Sequence, residues 1–154
     1  MPSTSSATRE KQALTIYTRL MRAANTVTDK MHRHLADHNL SISQFGVLEA
    51  LLHLGPLCQK DIGSKILKTS GNITLVIDNL EKRHLVERVK DPDDRRRMIV
   101  ELTGPGRDLI ESIFPGHSKT AAEVFSVLDP EERQTLGRLL KKLGTANLCP
   151  LNPK

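Results

Sequence analysis

With 154 residues the chain has the length of one domain, and 38% hydrophobic content supports a modest core. Aromatics make up 3% and Trp is absent, so that core must come from Leu, Ile, Val and Ala, a composition suited to packed helices. Two cysteines exclude a disulfide framework, and no apolar run is long enough for a signal peptide or a membrane span, so a cytoplasmic protein is expected; the net charge of +5 tilts it toward an anionic partner.

The Ser/Thr-rich segment 1–9 carries no periodicity and is expected to be a disordered tail. Beyond it, Ala13, Tyr17, Leu20, Ala24, Val27, Met31 and Leu35 recur at steps of three and four, predicting a long amphipathic helix over 10–38 that stops at Asn39. Ser41 and Gln44 have capping-box spacing, with Leu40 and Phe45 placed as a hydrophobic staple, so a second helix starts there and ends at Gly55-Pro56. A short third helix follows from Gln59 to about Leu67. Thr69 or Ser70 is expected to cap a fourth, whose buried stripe is Ile73, Val76, Ile77 and Leu80.

At 85–90 and 98–103 the pattern changes from helical to alternating, which predicts a hairpin with DPDDRRR as its turn. Pro92 suits that turn because it has no N–H to give a central strand. Thr103 is placed to cap a fifth helix, which Pro115-Gly116 is expected to kink or break. Asp129-Pro130-Glu131-Glu132 opens the last helix with a cap, a first-turn proline and two acids at the positive end of the helix dipole. That helix carries Leu136, Leu139, Leu140 and Leu143 and is expected to stop at Gly144, leaving 147–154 as a tail.

The fold class is therefore mainly α with a small β-hairpin: a winged helix-turn-helix lobe over 41–103, flanked by helices over 10–38 and 104–146. The segments SISQFGVLEALLHLGPL and TSGNITLVIDNLEKRHLVERVKDPDDRRRMIVELTGPG, with the helices on either side, resemble the MarR family of bacterial transcription regulators from about residue 10 to 145. Asp-Arg-Arg alone is a weak signal. It gains weight between a helix ending in Leu80-Glu81-Lys82-Arg83 and a strand ending in Leu102-Thr103.

The resemblance implies a homodimer clasped by its first and last helices, with Leu14, Tyr17, Leu20, Leu136, Leu139, Leu140 and Leu143 at the interface. It also implies a fourth helix in the DNA major groove and a hairpin tip on the adjacent minor groove. Residue chemistry agrees: outside the buried stripe lie Ser70, Gly71, Asn72, Thr74, Leu75, Asp78, Asn79 and Lys82. Asn bonds adenine bidentately, and Thr and Leu methyls meet the thymine methyl. Many relatives carry a basic residue where Leu75 and Asn79 stand, so the expected half-site contains A/T pairs. The partner is double-stranded DNA with a near-palindromic operator.

A flexible basic loop spreads its charge over many poses, whereas an arginine entering a narrow minor groove must be aimed. By the resemblance, Asp94 is expected to pair with a neighbouring arginine and brace the turn, leaving Arg95 or Arg96 for the groove and Arg97 for phosphate. A solvated, self-neutralising hairpin is the bland alternative.

Cys58 stands at the N-cap of the third helix, a candidate for oxidation set against the commoner reading of an inert small residue. His34 and His38 are four apart at the end of the first helix, where a solvated, dipole-matched end is favoured over a metal site, and no metal or cofactor is expected. By the resemblance, Tyr17, Arg22 and His117 line an effector pocket for a small aromatic or phenolic compound; helix packing or interface contacts are the alternative reading of the same residues. The expected function is a repressor relieved by such an effector or by an oxidant. An enzyme acting on the same compound is the alternative, but no nucleophile, base or phosphate-loop constellation supports it; a winged helix that binds protein is a third reading.

Overall fold

The computed structural model describes residues 4–66 and 72–146. In chain order it contains α1 (Thr4–Ala36), α2 (Ile42–Leu54), α3 (Gln59–Lys65), α4 (Ile73–Lys82), β1 (Val86–Lys90), β2 (Met98–Leu102), α5 (Gly104–Val124) and α6 (Pro130–Ala146). This is a winged helix-turn-helix lobe between long helices, as the periodicity predicts. The chain divides into two compact units, Met1–Thr120 and Ala121–Lys154.

In the first unit the core is assembled from every element. Leu35 of α1, Val47, Leu48 and Leu51 of α2, Ile62 of α3, Ile77 and Leu80 of α4, Val86 and Val100 of the hairpin and Ile110 and Ile113 of α5 are fully buried in one cluster. Each such side chain contributes about 1.5–3 kcal/mol of transfer free energy. That burial fixes where α4 and the hairpin stand on the lobe.

The helix ends follow local chemistry. Ser41 accepts from the Gln44 N–H at 3.1 Å while the Gln44 side chain accepts from the Ser41 N–H at 3.0 Å, and Leu40 and Phe45 are both buried beside this capping box. α1 and α4 end alike. Leu40 N–H donates to Leu35 O and Leu85 N–H to Leu80 O, each across a residue with positive φ, Asn39 at 53° and His84 at 56°. At the start of α5, Thr103 Oγ1 accepts from the Gly106 N–H at 3.1 Å. A Cβ on Gly106 would lie 1.8 Å from the Leu85 carbonyl oxygen, so only glycine lets α5 approach the hairpin this closely.

β1 and β2 pair antiparallel with Arg88 opposite Val100 and Lys90 opposite Met98. Leu57, in the α2–α3 connection, adds a bridge that the periodicity does not predict, exchanging both backbone hydrogen bonds with Val100 at 3.1 and 2.8 Å. The hairpin is thereby joined to the start of α3.

Three expectations need correction. α1 begins at Thr4, inside the segment expected to be a tail, because each residue added to an existing helix gains a hydrogen bond without a new nucleus; Ser6 Oγ also donates to Glu10 at 2.9 Å. α5 runs unbroken through Pro115, whose exposed ring costs the helix one N–H donor. α6 passes Gly144 and ends at Ala146, a glycine in an exposed helix costing only about 1 kcal/mol. In the second unit, the Asp129 N–H donates to Glu132 and the Glu132 N–H to Asp129, both at 2.9 Å, ahead of Pro130 in the first turn.

Candidate nucleic-acid interface

α4 presents Leu75, 56% exposed, with exposed Thr74 and Lys82 and half-exposed Asn79 on its outer face. Some neighbouring groups are already occupied. Asn72 is the N-cap, its Oδ1 accepting from the Thr74 N–H at 3.0 Å, so the cap expected at Thr69 or Ser70 is supplied by Asn72. Thr69, Ser70 and Gly71 lie outside the described residues. The Thr74 hydroxyl accepts from Gln59 of α3. Leu75, Asn79 and Lys82 are left as the outward-facing groups with the fewest competing partners.

Asp78, expected on the open face, is tied back to the hairpin. Arg88 of β1 donates from Nη2 to Asp78 Oδ1 and from Nη1 to Glu81 Oε2, both at 2.6 Å, and its backbone N–H reaches Glu81 Oε1 at 3.2 Å. Burial opposes the charge on Arg88, but the hydrogen bonds to Asp78 and Glu81 outweigh it and raise the guanidinium pKa. Sequence reasoning missed this group. Two acids three apart on a helix and an arginine on the next strand were its signal.

The hairpin tip is held by its aspartates. Asp91 N–H donates to Arg97 O at 2.9 Å and Arg97 N–H to Asp94 O at 2.8 Å, closing the turn. Asp91 Oδ1 accepts from the Asp93 N–H at 2.9 Å, and Asp94 Oδ1 accepts from both the backbone N–H and Nε of Arg96 at 3.1 Å. The side-chain and backbone bonds from Arg96 hold the Asp94 carboxyl below its ordinary pKa. Arg95 is exposed and makes no hydrogen bond or ion pair among the described residues.

Arg97, expected on phosphate, turns toward the start of α3. Its guanidinium lies beside Cys58, with Asp91 and Asp61 near, and the hydrogen bond to Cys58 leads the causes that raise its pKa. Cys58 is the N-cap residue as expected, but its side chain caps nothing; Sγ donates to Asp61 Oδ2 at 3.0 Å.

A largely apolar cavity of about 490 Å³ lies among α1, α2, α3 and α5, lined by Val27, Met31, Phe45, Ile66 and His117, with Glu49 and Lys65 as its charged groups. Of the expected effector residues it takes His117 alone. Tyr17, 60% exposed, and Arg22 lie further toward the start of α1, where Arg22 borders a shallow surface depression with Leu14. His117 packs at a tilt of 37° against Phe45, with ring centroids 4.1 Å apart, and lies 6.1 Å from the His34 ring. Among the described residues, His117 Nδ1 and His34 Nε2 are buried without a hydrogen-bond partner. Burial, and then the neighbouring His34, lower the His117 pKa from its ordinary 6.5. None of the described helices is long and apolar enough to cross a membrane.

The MarR family profile matches residues 40–98, from the start of the helix-turn-helix to the wing. The HTH-type transcriptional regulator MhqR of Bacillus subtilis is 38% identical over 134 residues, 87% of this chain and 92% of MhqR. The chain belongs to the MarR family. MarR-family proteins are transcription regulators and not enzymes, which removes the catalytic alternative. A second MarR-type relative, the HTH-type transcriptional repressor NicR of Pseudomonas putida, is 30% identical over 80% of this chain and 78% of NicR. Among solved structures, Bordetella bronchiseptica BpsR, described for regulation of its DNA binding by 6-hydroxynicotinic acid, superposes with a TM-score of 0.76 at 30% identity, covering 84% of this chain and 92% of BpsR. The MarR-family fold thus extends well beyond the profile match.

Proposed function

We propose that the chain is a homodimeric, sequence-specific repressor whose α4 enters the major groove and whose wing places Arg95 in the adjacent minor groove. One observation carries this reading: Arg95 stands unpaired at the tip of a hairpin that Asp91 and Asp94 hold shut, beside a helix whose Leu75, Asn79 and Lys82 face outward. Leu75 suits a thymine methyl and Asn79 an adenine edge, while Lys82 suits a phosphate. The uncharged pair favours A/T in the half-site. Similarity to the repressor NicR supports the direction of regulation.

The dimer is supported by apolar faces that folding leaves uncovered. Leu14, Ile16, Tyr17 and Met21 of α1 are 43–67% exposed, and Leu139, Leu140 and Leu143 of α6 are 42–48% exposed. Such stripes are costly in water and fit a second copy. Two copies would read half-sites about one helical turn apart.

The cavity containing His117 is the place for an effector. Its apolar lining suits an aromatic ring, and an imidazole nitrogen without a partner suits a hydroxyl or carboxylate on that ring. The resemblance to BpsR, whose DNA binding 6-hydroxynicotinic acid regulates, supports this class. Cys58, held between Asp61 and Arg97, fits a structural role at the base of the wing better than an oxidant sensor.

Fluorescence anisotropy with duplexes from the DNA upstream of the chain's own gene tests the reading. Binding is expected to weaken steeply with salt and to be released by hydroxylated aromatic acids. Failure to bind any duplex at low salt overturns it.

A further inference from the structure

Asp78 and Glu81 put two carboxylates on α4 against the single ammonium of Lys82, so the helix offered to DNA is itself net negative. A polyanion disfavours that helix unless something cancels the charge. Arg88 takes both carboxylates in one planar guanidinium, at 2.6 Å each, and does so from β1. Its side chain is 24% exposed, against 42% for Asp78 and 40% for Glu81, so the cation sits inboard of the acids. Its backbone N–H on Glu81 Oε1 adds a further bond between strand and helix.

We propose that Arg88 is a positioning residue for operator reading, a clamp that sets the recognition helix against the wing while neutralising Asp78 and Glu81. The inference rests on the DNA-binding reading above. The hydrophobic core holds α4 by its inner stripe, Ile77 and Leu80 with Ile73 and Val76 packed against them, and Gln59 of α3 bonds the Thr74 hydroxyl near its start, but none of these contacts ties the helix to the wing by charge. The charge pairs on the flank add that restraint, linking the orientation of α4, and with it of Leu75 and Asn79, to the strand that leads to Arg95. Arg88 touches no phosphate in this role.

Operator and unrelated duplexes are titrated in parallel against the full chain and its Arg88→Lys, Arg88→Met and Asp78→Asn/Glu81→Gln/Arg88→Met variants. Arg88→Met is expected to weaken operator binding about ten- to a hundredfold, within the range of coupling among groups in one network, and to weaken unrelated duplex much less. The slope of log affinity against log salt stays that of the wild type, because no phosphate contact is lost. The triple variant, one unit more positive at this site than wild type, recovers binding to unrelated duplex but not to operator, since the unpaired carboxylates are gone and the clamp is not rebuilt. Arg88→Lys, whose compact ammonium cannot hold both acids in the same way, falls between and keeps the test open if Arg88→Met does not fold. A slope reduced by about one contact, or full operator recovery in the triple variant, overturns positioning. So does unchanged binding by Arg88→Met. A wild-type chain that binds no duplex instead overturns the DNA-binding reading itself.

Discussion

Asp94 holds Arg96 and leaves Arg95 free: its Oδ1 accepts from both the N–H and Nε of Arg96 at 3.1 Å, while Arg95, one residue earlier, has no partner among the described residues. The two arginines that the sequence leaves equivalent are thereby distinguished. Arg95→Ala is expected to weaken operator binding by about 1–3 kcal/mol, the range of a single groove contact. Arg96→Ala acts only by loosening the turn and costs less, as does Asp94→Ala. Anisotropy titrations of the three variants check the order, and Arg96→Ala being the most damaging would reverse the assignment.

Leu75 and Asn79 carry the proposed base reading. Leu75→Ala removes an exposed apolar contact without disturbing the core, so folding stability is expected to stay within about 0.5 kcal/mol of wild type while operator preference drops. Selection from a randomised duplex pool should return A/T pairs facing α4. Recovery of only G/C-rich contacts there would refute the uncharged-face reading.

Elements with a local signal are legible in the sequence: the Ser41–Gln44 capping box, the Thr103 cap, the hairpin limits and the buried stripe of α4 all stand where spacing puts them. Contacts made across elements are less so. The Arg88 clamp joins a strand to the helix before it, and the Leu57–Val100 bridge joins residues whose pairing no periodicity announces. Tyr17 and Arg22, which the resemblance assigns to the effector pocket, stand on α1 away from the cavity that His117 lines. Of the kink or break expected at Pro115 the break does not occur, because one missing donor on an exposed face is tolerated in a helix whose other face is anchored by Ile110 and Ile113.

The exposed leucines of α1 and α6 make the dimer testable. A Leu14→Glu/Leu143→Glu chain is expected to run as a monomer in sedimentation at micromolar concentration and to lose most operator affinity, since one reading head alone contacts half the site. A wild-type chain that is already monomeric under the same conditions would remove the basis for paired half-sites.

Gly106 is where α5 meets the hairpin. The methyl of Gly106→Ala falls 1.8 Å from Leu85 O, too close to be absorbed by a rotamer change, so the start of α5 must move away from the wing. Overpacking of this kind costs about 1–3 kcal/mol. Urea unfolding should show that loss, and a variant as stable as wild type would mean that α5 does not pack this closely.

His117 makes stability depend on pH. It faces His34 and Phe45, with Glu49 and His53 of α2 and Lys65 of α3 around the same cavity, and its folded-state pKa lies below the ordinary 6.5. Between those two values the unfolded chain binds the extra proton and the folded chain does not, so stability falls as the pH drops below 6.5 and the loss stops growing beneath the folded-state pKa. His117→Phe keeps an aromatic ring on Phe45 and removes the titration, so its thermal midpoint should fall less between pH 7.5 and about 5 than that of wild type. The same proton bears on the proposed effector. A neutral imidazole offers one donor and one acceptor, whereas the imidazolium offers two donors and a positive charge, so an aromatic carboxylate should bind more tightly as the pH is lowered and should itself raise the His117 pKa. Calorimetric titration of 6-hydroxynicotinic acid at two pH values, into wild type and His117→Phe, separates this from a general effect of pH: equal affinities for both proteins at both values would place the ligand elsewhere.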